Sequence, residues 1–372
     1  MSNILLITYG FPPDVGGAEL VAYDYATNLA KLGHNISVVC RQHKSKSVQF
    51  NNFKVMEIPN LFGEKLWMLN LYIFFRKLNY EQYDHIILNQ SNVSSVISRV
   101  LKEKDFNKCI PIVQGFEVEW FYKNKRIVSN IFNNYIFQLG KYHRKTLLKA
   151  RKIVSVSNAH KNKVLKAAKL DFLDFKVQVV YTGIDKQVFH REFSSYRKDN
   201  SLEKRHLLFS VSRIVKMKGY EHMLAIFKQL VIEDPLFYWI IAGDGPYLSE
   251  LKKNVKEANL SNYITFLGNV NRESLNRFYS IADCFWLLSD YDECLPLVYL
   301  EAQACGTPAI GRNKGGVVET IIDNKTGGSR AESPLKITRF LLHRKYEQLK
   351  SEDLKSFTDK FDKIEAARQL IS

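Results

Sequence analysis

Short apolar runs alternate with segments of helical periodicity, and this alternation occurs twice along the 372 residues of the chain. The apolar runs predict strands at 4–8, 36–40, 55–58, 85–89, 110–113, 153–156, 177–181, 206–211, 237–242, 264–267, 284–288 and 308–310. The segments between them predict helices at 18–32, 91–104, 219–232, 247–257, 272–281 and 297–305. A strand followed by a helix before the next strand favours a parallel sheet with helices on both faces. The pattern therefore predicts an α/β fold with two doubly wound, Rossmann-like domains, each binding ligands at the carboxyl ends of its strands.

A polar segment without periodicity, residues 187–204, separates the two series of strands and helices. A chain of this length exceeds the usual size of one hydrophobic core, so two domains are expected. We predict an N-terminal domain at 1–186, a C-terminal domain at 187–355 and a further helix in the tail at 356–372. One expected arrangement of the tail is packing back toward the N-terminal domain.

The composition is that of an ordinary globular protein, with 46% hydrophobic and 25% charged residues. No apolar stretch reaches 18 residues, which argues against a transmembrane helix. The N-terminus lacks a basic leader and predicts a first strand rather than a signal peptide. The five cysteines form no Cys-x-x-Cys pair, so we expect reduced thiols in the cytoplasm and no metal site.

The net charge of +16 is concentrated in the first half of the chain, where residues 1–190 hold 27 Lys and Arg against 14 Asp and Glu. Thirteen Lys and Arg lie between Glu119 and Asp171 without an acidic residue, and seven Phe, Tyr and Trp lie among them. A basic, aromatic surface suits the headgroups of an anionic membrane. We predict membrane contact through residues 120–170; a solvated face of a basic chain is the alternative. No nucleic-acid-binding module is recognisable, so we expect no nucleic-acid partner.

Two glutamates, Glu293 and Glu301, bracket seven mostly apolar residues near the end of the second series. Pro296 suits the first position of a helix and Gly306 suits its C-terminal stop, so Glu293 precedes this helix and Glu301 lies on its second turn. Backbone N–H groups at a helix N-terminus bind phosphate or sugar oxygens, and carboxylates accept hydrogen bonds from sugar hydroxyls. The pair predicts a ligand that carries phosphate and hydroxyl groups; two solvated glutamates are the alternative.

Glycines and basic residues follow several of the other predicted strands. A Gly-Gly loop at 16–17 opens the first helix, Ser-Arg-Ile-Val-Lys-Met-Lys-Gly occupies 212–219, Ala-Gly-Asp-Gly-Pro occupies 242–246, Phe-Leu-Gly-Asn-Val occupies 266–270, and Gly-Gly-Val-Val-Glu occupies 315–319. Glycine lets the backbone approach a phosphate or a sugar closely. Together with the two glutamates, and in this order, these motifs resemble those of the retaining glycosyltransferases of the GT4 family, over roughly residues 3–330.

The resemblance implies a GT-B fold, in which two Rossmann-like domains face each other across a cleft, and it implies roles for individual residues. Arg213 and Lys218 would bind the donor diphosphate and offset the charge that builds on the leaving nucleotide. Glu293 would contact hydroxyls of the donor sugar, and Glu301 the ribose. With these, the donor site would include Gly16, Gly17, Gly243, Gly245, Gly268, Val270, Leu295, Leu297 and Val298.

The sequence departs from the family pattern at several places, three of which bear on the site. Gln114 follows the strand at 110–113 where the family often has histidine, and glutamine cannot act as an acid or a base. Ser212 replaces a glycine, and Pro296 removes one backbone N–H that could bind the donor. On the acceptor side, Gln114, Glu117 and Glu119 are candidates to contact acceptor hydroxyls, and a solvated loop is the alternative for the two glutamates.

Asp-Tyr-Asp at 290–292 has the spacing of a metal-binding motif found in the other major glycosyltransferase fold. We interpret it as loop polarity, because the surrounding motifs are those of the fold that needs no metal. No metal and no cofactor are therefore expected.

We predict an EC 2.4-type enzyme that moves a hexose-type sugar, with retention, from a UDP- or GDP-sugar to a hydroxyl of a lipid-linked or saccharide acceptor. The expected setting is bacterial surface polysaccharide assembly (O-antigen, capsule or exopolysaccharide), at the inner face of the cell membrane. A catalytically degenerate GT-B protein that acts as a binding or assembly partner is the alternative. A nucleotide-sugar epimerase would lack the Arg-Lys and Glu-Glu pairings, and a dehydrogenase would carry Gly-x-Gly-x-x-Gly after the first strand.

Overall fold

The computed structural model describes residues 1–14, 16–43, 50–60, 64–115, 121–122, 137–328 and 333–372. The chain divides into two compact units. The first comprises Met1–Thr182 together with Lys363–Ser372, and the second comprises Gly183–Asp362.

The first unit contains a parallel sheet of seven strands in the order β3-β2-β1-β4-β5-β6-β7. The strands are β1 Asn3–Ile7, β2 Asn35–Arg41, β3 Lys54–Ile58, β4 His85–Leu88, β5 Cys109–Val113, β6 Ile153–Ser155 and β7 Val177–Val179. Residues 4–7 of β1 are fully buried, as expected for a central strand covered on both faces. The helices before the junction are α1 Gly17–Lys31, α2 Glu64–Lys77, α3 Ser91–Ile97, α4 Leu139–Lys149 and α5 Asn158–Ala168.

The second unit contains a parallel sheet of six strands in the order β10-β9-β8-β11-β12-β13. The strands are β8 His206–Val211, β9 Phe237–Ala242, β10 Ile264–Gly268, β11 Cys284–Leu287, β12 Ala309–Gly311 and β13 Gly327–Gly328. The helices are α6 Tyr196–Asp199, α7 Tyr220–Glu233, α8 Leu248–Glu257, α9 Arg272–Ile281, α10 Leu297–Ala304, α11 Val317–Thr320, α12 Pro334–Leu342 and α13 Ser351–Thr358. Trp239 and Trp286 pack in its core with ring centroids 4.8 Å apart.

Short 3-10 helices complete both units, at Tyr80–Gln82, Glu103–Lys108, Asp171–Lys176, Lys216–Lys218, Ser261–Tyr263 and Lys345–Gln348. No helix of the described residues combines the length and the apolar character that crossing a bilayer requires.

The last helix of the chain, α14 Lys363–Ile371, packs on α1 of the first unit. The Lys363 ammonium lies 2.7 Å from a carboxylate oxygen of Asp24, and both side chains are largely buried. The helix expected in the tail corresponds to α14, and α13, which ends at Thr358, precedes it. Residues Asp359–Asp362, which separate the two helices, carry the chain from one unit to the other.

The prediction of two doubly wound α/β domains is confirmed, and the predicted strands match the observed ones to within a few residues. The helix expected at 91–104 is too long. α3 ends at Ile97. Beyond it, the N–H groups of Arg99 and Val100 donate to the carbonyls three residues earlier, and the Leu101 side chain is buried in the core. Four of the five cysteines are buried, and burial raises the pKa of Cys40 and Cys109 to about 12.

Candidate active site

The order of strands in the second sheet reverses between β8 and β11. From β8 the chain continues outward through β9 and β10, and it then returns to the other side of β8 with β11. Ligands of open α/β sheets bind at the carboxyl ends of strands at such a point. The segments that follow β8 and β11, residues 212–219 and 288–296, contain the predicted diphosphate and sugar ligands.

Backbone hydrogen bonds tie the loops at this edge of the sheet to one another. The N–H of Ile214 donates to the carbonyl of Asp244 (2.8 Å), and the N–H of Gly243 donates to that of Gly268 (2.7 Å). Asp290 N–H donates to the carbonyl of Met217 (2.8 Å). The loops after β8, β9, β10 and β11 therefore form one continuous rim.

The structure brings Lys218 and Glu293 together although 75 residues separate them in the chain. The Lys218 Nζ lies 2.7 Å from Glu293 Oε1, and the exposed fractions of the two side chains are only 16% and 10%. Ser289 Oγ donates to the same carboxylate oxygen (2.7 Å), and the Tyr291 hydroxyl donates to Oε2 (2.7 Å). One cation and two hydroxyls thus hold the Glu293 carboxylate in a fixed orientation.

The Tyr291 ring also lies beneath Lys218, whose Nζ is 5.1 Å from the ring centroid. Burial and the adjacent Glu293 carboxylate raise the pKa of Tyr291 far above its usual range. The phenol therefore stays protonated and remains a hydrogen-bond donor to Glu293.

Two glycines allow the close approach of these loops. Gly219, with a φ of +78°, follows Lys218, and a Cβ there would collide with the backbone carbonyl of Leu288. Gly315, with a φ of +56°, packs on the Glu293 segment, where a Cβ would lie 2.7 Å from the Glu293 carbonyl oxygen. Both positions favour glycine because L side chains rarely adopt this region and no space exists for one.

Arg213 differs from Lys218 in its surroundings. Its side chain is exposed and has no hydrogen-bond or ion-pair partner among the described residues. The neighbouring Ser212, which stands where the family has glycine, shares a hydrogen bond with the buried Tyr220 hydroxyl (2.8 Å). The guanidinium of Arg213 is thus available to an anion near the end of β8.

Glu301 lies on the second turn of α10, as predicted, and is buried. Pro296 is the residue before the helix rather than its first residue, which is Leu297. Arg272 Nη2 lies 2.7 Å from Glu301 Oε1, and the Tyr279 hydroxyl donates to Oε2 (2.9 Å). Glu301 thus belongs to a cluster with α9, and its contacts are separate from those of Glu293.

The other predicted donor ligands lie along the same rim. These residues, which are all partly accessible to solvent, are Gly243, Gly245, Gly268, Val270, Leu295, Leu297 and Val298. Their role in binding a donor stays a prediction.

In the first unit, Gly16 and Gly17 lie at the N-terminus of α1, as the sequence predicts. The Gln114 amide donates to the carbonyl oxygen of Asn89 (2.9 Å) and to its side-chain oxygen (2.7 Å). Both N–H groups of the buried Gln114 amide therefore donate within the protein. Glu117 and Glu119 lie outside the described residues.

The Asp-Tyr-Asp segment is surrounded by basic side chains. Arg312 forms an ion pair with Asp290, whose carboxylate also lies 3.4 Å from His222 Nε2. Lys314 Nζ lies 3.7 Å from Asp292. Within the described part of the chain, no group of three or more His, Cys, Asp and Glu side chains is placed to hold a metal ion.

Four residues of the site were not identified from the sequence. Ser289 and Tyr291 precede Glu293 by four and two residues, so polar side chains at these spacings were the available signal. Arg272 and Tyr279 are seven residues apart and share one face of α9. Their carboxylate partner is 22 or more residues away, and no local pattern indicates that contact.

Comparison with known proteins shows the family of this chain. Residues 192–333 match the family described as "Glycosyl transferases group 1", and residues 15–188 match the one described as "Glycosyltransferase Family 4". The chain belongs to the GT4 family of glycosyltransferases. The resemblance inferred from the motifs is thereby confirmed, and the two sheets are those of a GT-B glycosyltransferase.

Individual relatives are distant from this GT4 chain. It is 26% identical over 326 residues to the N-acetyl-alpha-D-glucosaminyl L-malate synthase of Bacillus anthracis, covering 85% of this chain and 80% of that protein. A GDP-mannose-dependent alpha-(1-6)-phosphatidylinositol monomannoside mannosyltransferase of Mycolicibacterium smegmatis is 31% identical over 137 residues, or 35% of this chain and 36% of that protein. Among solved structures, Anabaena HepE in complex with UDP and glucose superposes with a TM-score of 0.75 at 17% identity, covering 99% of this chain and 98% of HepE.

Proposed function

We propose that this GT4 glycosyltransferase transfers a hexose-type sugar from a nucleotide diphosphate sugar to an acceptor hydroxyl, with retention of the anomeric configuration. The observation that carries the proposal is the largely buried Lys218–Glu293 pair at the reversal point of the second sheet, near the exposed Arg213. A cation that binds the diphosphate then lies beside a carboxylate that binds the sugar joined to that diphosphate.

Each group contributes to the departure of the nucleotide. As the bond between the anomeric carbon and the phosphate oxygen breaks, negative charge builds on the diphosphate, and Arg213 and Lys218 stabilise it. Glu293, oriented by Ser289 and Tyr291, accepts hydrogen bonds from donor sugar hydroxyls and fixes the ring.

Retention follows from attack on the face that the nucleotide leaves. The acceptor oxygen bonds to the anomeric carbon, and its proton passes to the departing phosphate oxygen, so no enzyme carboxylate is required as a nucleophile. A covalent sugar adduct on a glutamate of this chain would contradict this step. The step needs no metal ion, because Arg213 and Lys218 supply the positive charge.

The donor nucleotide is UDP or GDP. HepE was solved with UDP and glucose, and the mycobacterial relative depends on GDP-mannose, so members of related sequence or fold use either base.

The test is release of nucleotide from UDP-, GDP- and ADP-sugars by the wild type and by the variants Arg213→Ala and Glu301→Ala. We expect slow hydrolysis of one donor by the wild type and a loss of about 100-fold or more in each variant. Lys216→Ala is the matched control, because Lys216 lies in the same segment but is exposed and paired with Glu250 (2.8 Å). If the wild type neither turns over nor is thermally stabilised by any nucleotide, the chain is a degenerate binding partner rather than an enzyme.

The acceptor in this proposal is a lipid-linked saccharide at the inner face of the cell membrane, as in bacterial surface polysaccharide assembly. Support comes from the surface of the first unit, where Lys141, Lys166 and Lys169 are exposed. Phe172 and Phe175, in the 3-10 helix that follows α5, are 63% and 87% exposed. Exposed aromatic rings beside lysines suit the headgroup region of an anionic bilayer.

Flotation with phosphatidylglycerol vesicles tests the membrane contact. Combining Lys166→Ser with Phe175→Ser should release most of the bound protein, whereas Lys256→Ser with Phe193→Ser in the second unit should not. Equal binding of both double variants would contradict membrane contact through residues 120–170 and the adjoining 3-10 helix, and it would leave the donor chemistry unaffected.

A further inference from the structure

We propose that Arg272 and Tyr279 are positioning residues that hold Glu301 in the orientation in which it accepts hydrogen bonds from the two ribose hydroxyls of the donor. Helix α9 would thereby set the preference of this enzyme for ribonucleotides. The inference rests on the proposed function, in which Glu301 binds the ribose.

The two residues reach Glu301 from one helix. Arg272 is the first residue of α9 and Tyr279 lies seven positions later, so both side chains project from the same face. Arg272 Nη2 lies 2.7 Å from Glu301 Oε1, and the Tyr279 hydroxyl lies 2.9 Å from Oε2. Each oxygen of the carboxylate therefore has its own donor on α9, and rotation of the Glu301 side chain would break both hydrogen bonds.

Both donors are themselves fixed. The Arg272 guanidinium lies 5.1 Å from the centroid of the Phe189 ring, a cation–π distance. The Tyr279 ring is fully buried and packs edge-on against Phe209, with ring centroids 5.2 Å apart. Burial and the Glu301 carboxylate raise the pKa of Tyr279 well above its usual value, so it donates at every physiological pH.

The carboxylate keeps capacity for a ligand. An ionised carboxylate offers about four lone-pair directions, of which Arg272 and Tyr279 occupy two. Two directions remain, one on each oxygen, which matches the two adjacent hydroxyls of a ribose. A nucleotide without these hydroxyls would leave the remaining directions on a buried carboxylate unfilled, and it should bind more weakly.

The test measures how strongly each variant distinguishes ribose from dideoxyribose. Dissociation constants of UDP, GDP and their 2′,3′-dideoxy counterparts are measured by calorimetry for the wild type, Arg272→Met and Tyr279→Phe. We expect the wild type to bind the ribonucleotide on the order of 100-fold more tightly than the dideoxynucleotide. In each variant this ratio of dissociation constants should be about tenfold smaller. The loss should come from weaker ribonucleotide binding, with the dideoxynucleotide nearly unchanged.

Two matched controls separate positioning from general damage. Tyr299→Phe removes another fully buried hydroxyl, one that donates to the Leu287 carbonyl (2.5 Å) and does not touch Glu301. Arg277→Met removes a second arginine of α9 that stacks on Phe278 instead (4.7 Å). Both controls should keep the wild-type preference to within about twofold.

The outcomes distinguish this inference from the function on which it rests. Equal weakening of both nucleotide types in Arg272→Met and Tyr279→Phe would mean a purely structural role and would overturn the inference. A wild type that binds nucleotides without preferring ribose would also overturn it, while the proposed donor chemistry would survive. A wild type that binds none of the four nucleotides would contradict the proposed UDP or GDP donor, and the inference would fall with it.

Discussion

Replacement of Lys218 by methionine should destabilise the second unit and abolish donor binding together. Loss of one partner of a buried ion pair costs about 3–5 kcal/mol. Here the Glu293 carboxylate keeps the Ser289 and Tyr291 hydroxyls, and neither charged side chain is fully buried. We therefore expect Lys218→Met to lower the free energy of unfolding by about 2–3 kcal/mol.

Calorimetry of the full chain measures this cost. For a unit of this size each kcal/mol lowers the unfolding midpoint by about 2–4 °C, so the transition of the second unit should move down by about 4–12 °C. Glu293→Gln should shift it less, because the freed Lys218 ammonium can reach water along its flexible side chain. Lys216→Met, which removes exposed contacts with Glu250, Glu221 and the Tyr247 ring, should leave the midpoint nearly unchanged.

A second measurement links this cost to the proposed role in donor binding. UDP or GDP should raise the wild-type midpoint and should not raise that of Lys218→Met, because the diphosphate would lose the Lys218 cation. A full ligand-induced shift in Lys218→Met would show that Lys218 is not a phosphate ligand. A stability loss below about 1 kcal/mol would show that solvent screens the pair far more than its burial indicates.

Three further predictions follow from other contacts. Gly219→Ala should destabilise the second unit by at least about 2 kcal/mol, because the Cβ of the new alanine would collide with the Leu288 carbonyl. Urea unfolding measures this loss, and an unchanged stability would mean that the loop relaxes freely. Of the five thiols, Cys294 alone is half-buried rather than buried, so mass spectrometry of the native protein should find one thiol alkylated at pH 8. Bound nucleotide should slow this alkylation, and rapid labelling of several cysteines would contradict the packing. Lys363→Met should break the Lys363–Asp24 ion pair between α14 and α1 and lower the free energy of unfolding by about 2 kcal/mol, which limited proteolysis should detect as faster cleavage near the C-terminus. An unchanged digestion pattern would mean that apolar contacts alone hold α14 on α1.

The sequence predicts the fold well because periodicity is a local property. The strand at 206–211 and the helix that ends near Gly306 need only their own residues and stop signals. Where tertiary packing decides, the prediction fails. Helix α3 stops at Ile97 because Leu101 turns into the core, and nothing in the local pattern at 91–104 indicates that turn.

The same distinction applies to the site. The resemblance to the family made Lys218, Glu293 and Glu301 candidate site residues, but it gave no indication that Lys218 and Glu293 share a hydrogen bond. That contact depends on the β8–β11 pairing, which no local sequence signal encodes. The donors Arg272 and Tyr279 were missed for the same reason, since their relation to Glu301 exists only once α9 and α10 are packed.

The placement of α14 in the first unit makes the second unit an insertion within the first. The chain leaves the first unit at Thr182 and returns at Lys363, and the two crossing segments are bonded to each other, with the N–H of Ile184 donating to the Phe361 carbonyl (3.0 Å). Domain insertion requires adjacent ends of this kind. Residues 183–362 can therefore be excised as one piece, and Thr182 can be joined to Lys363 by a short linker. A simple cut after residue 182 would instead leave α1 without its partner helix. A working fragment of the first unit therefore needs Met1–Thr182 fused to Lys363–Ser372.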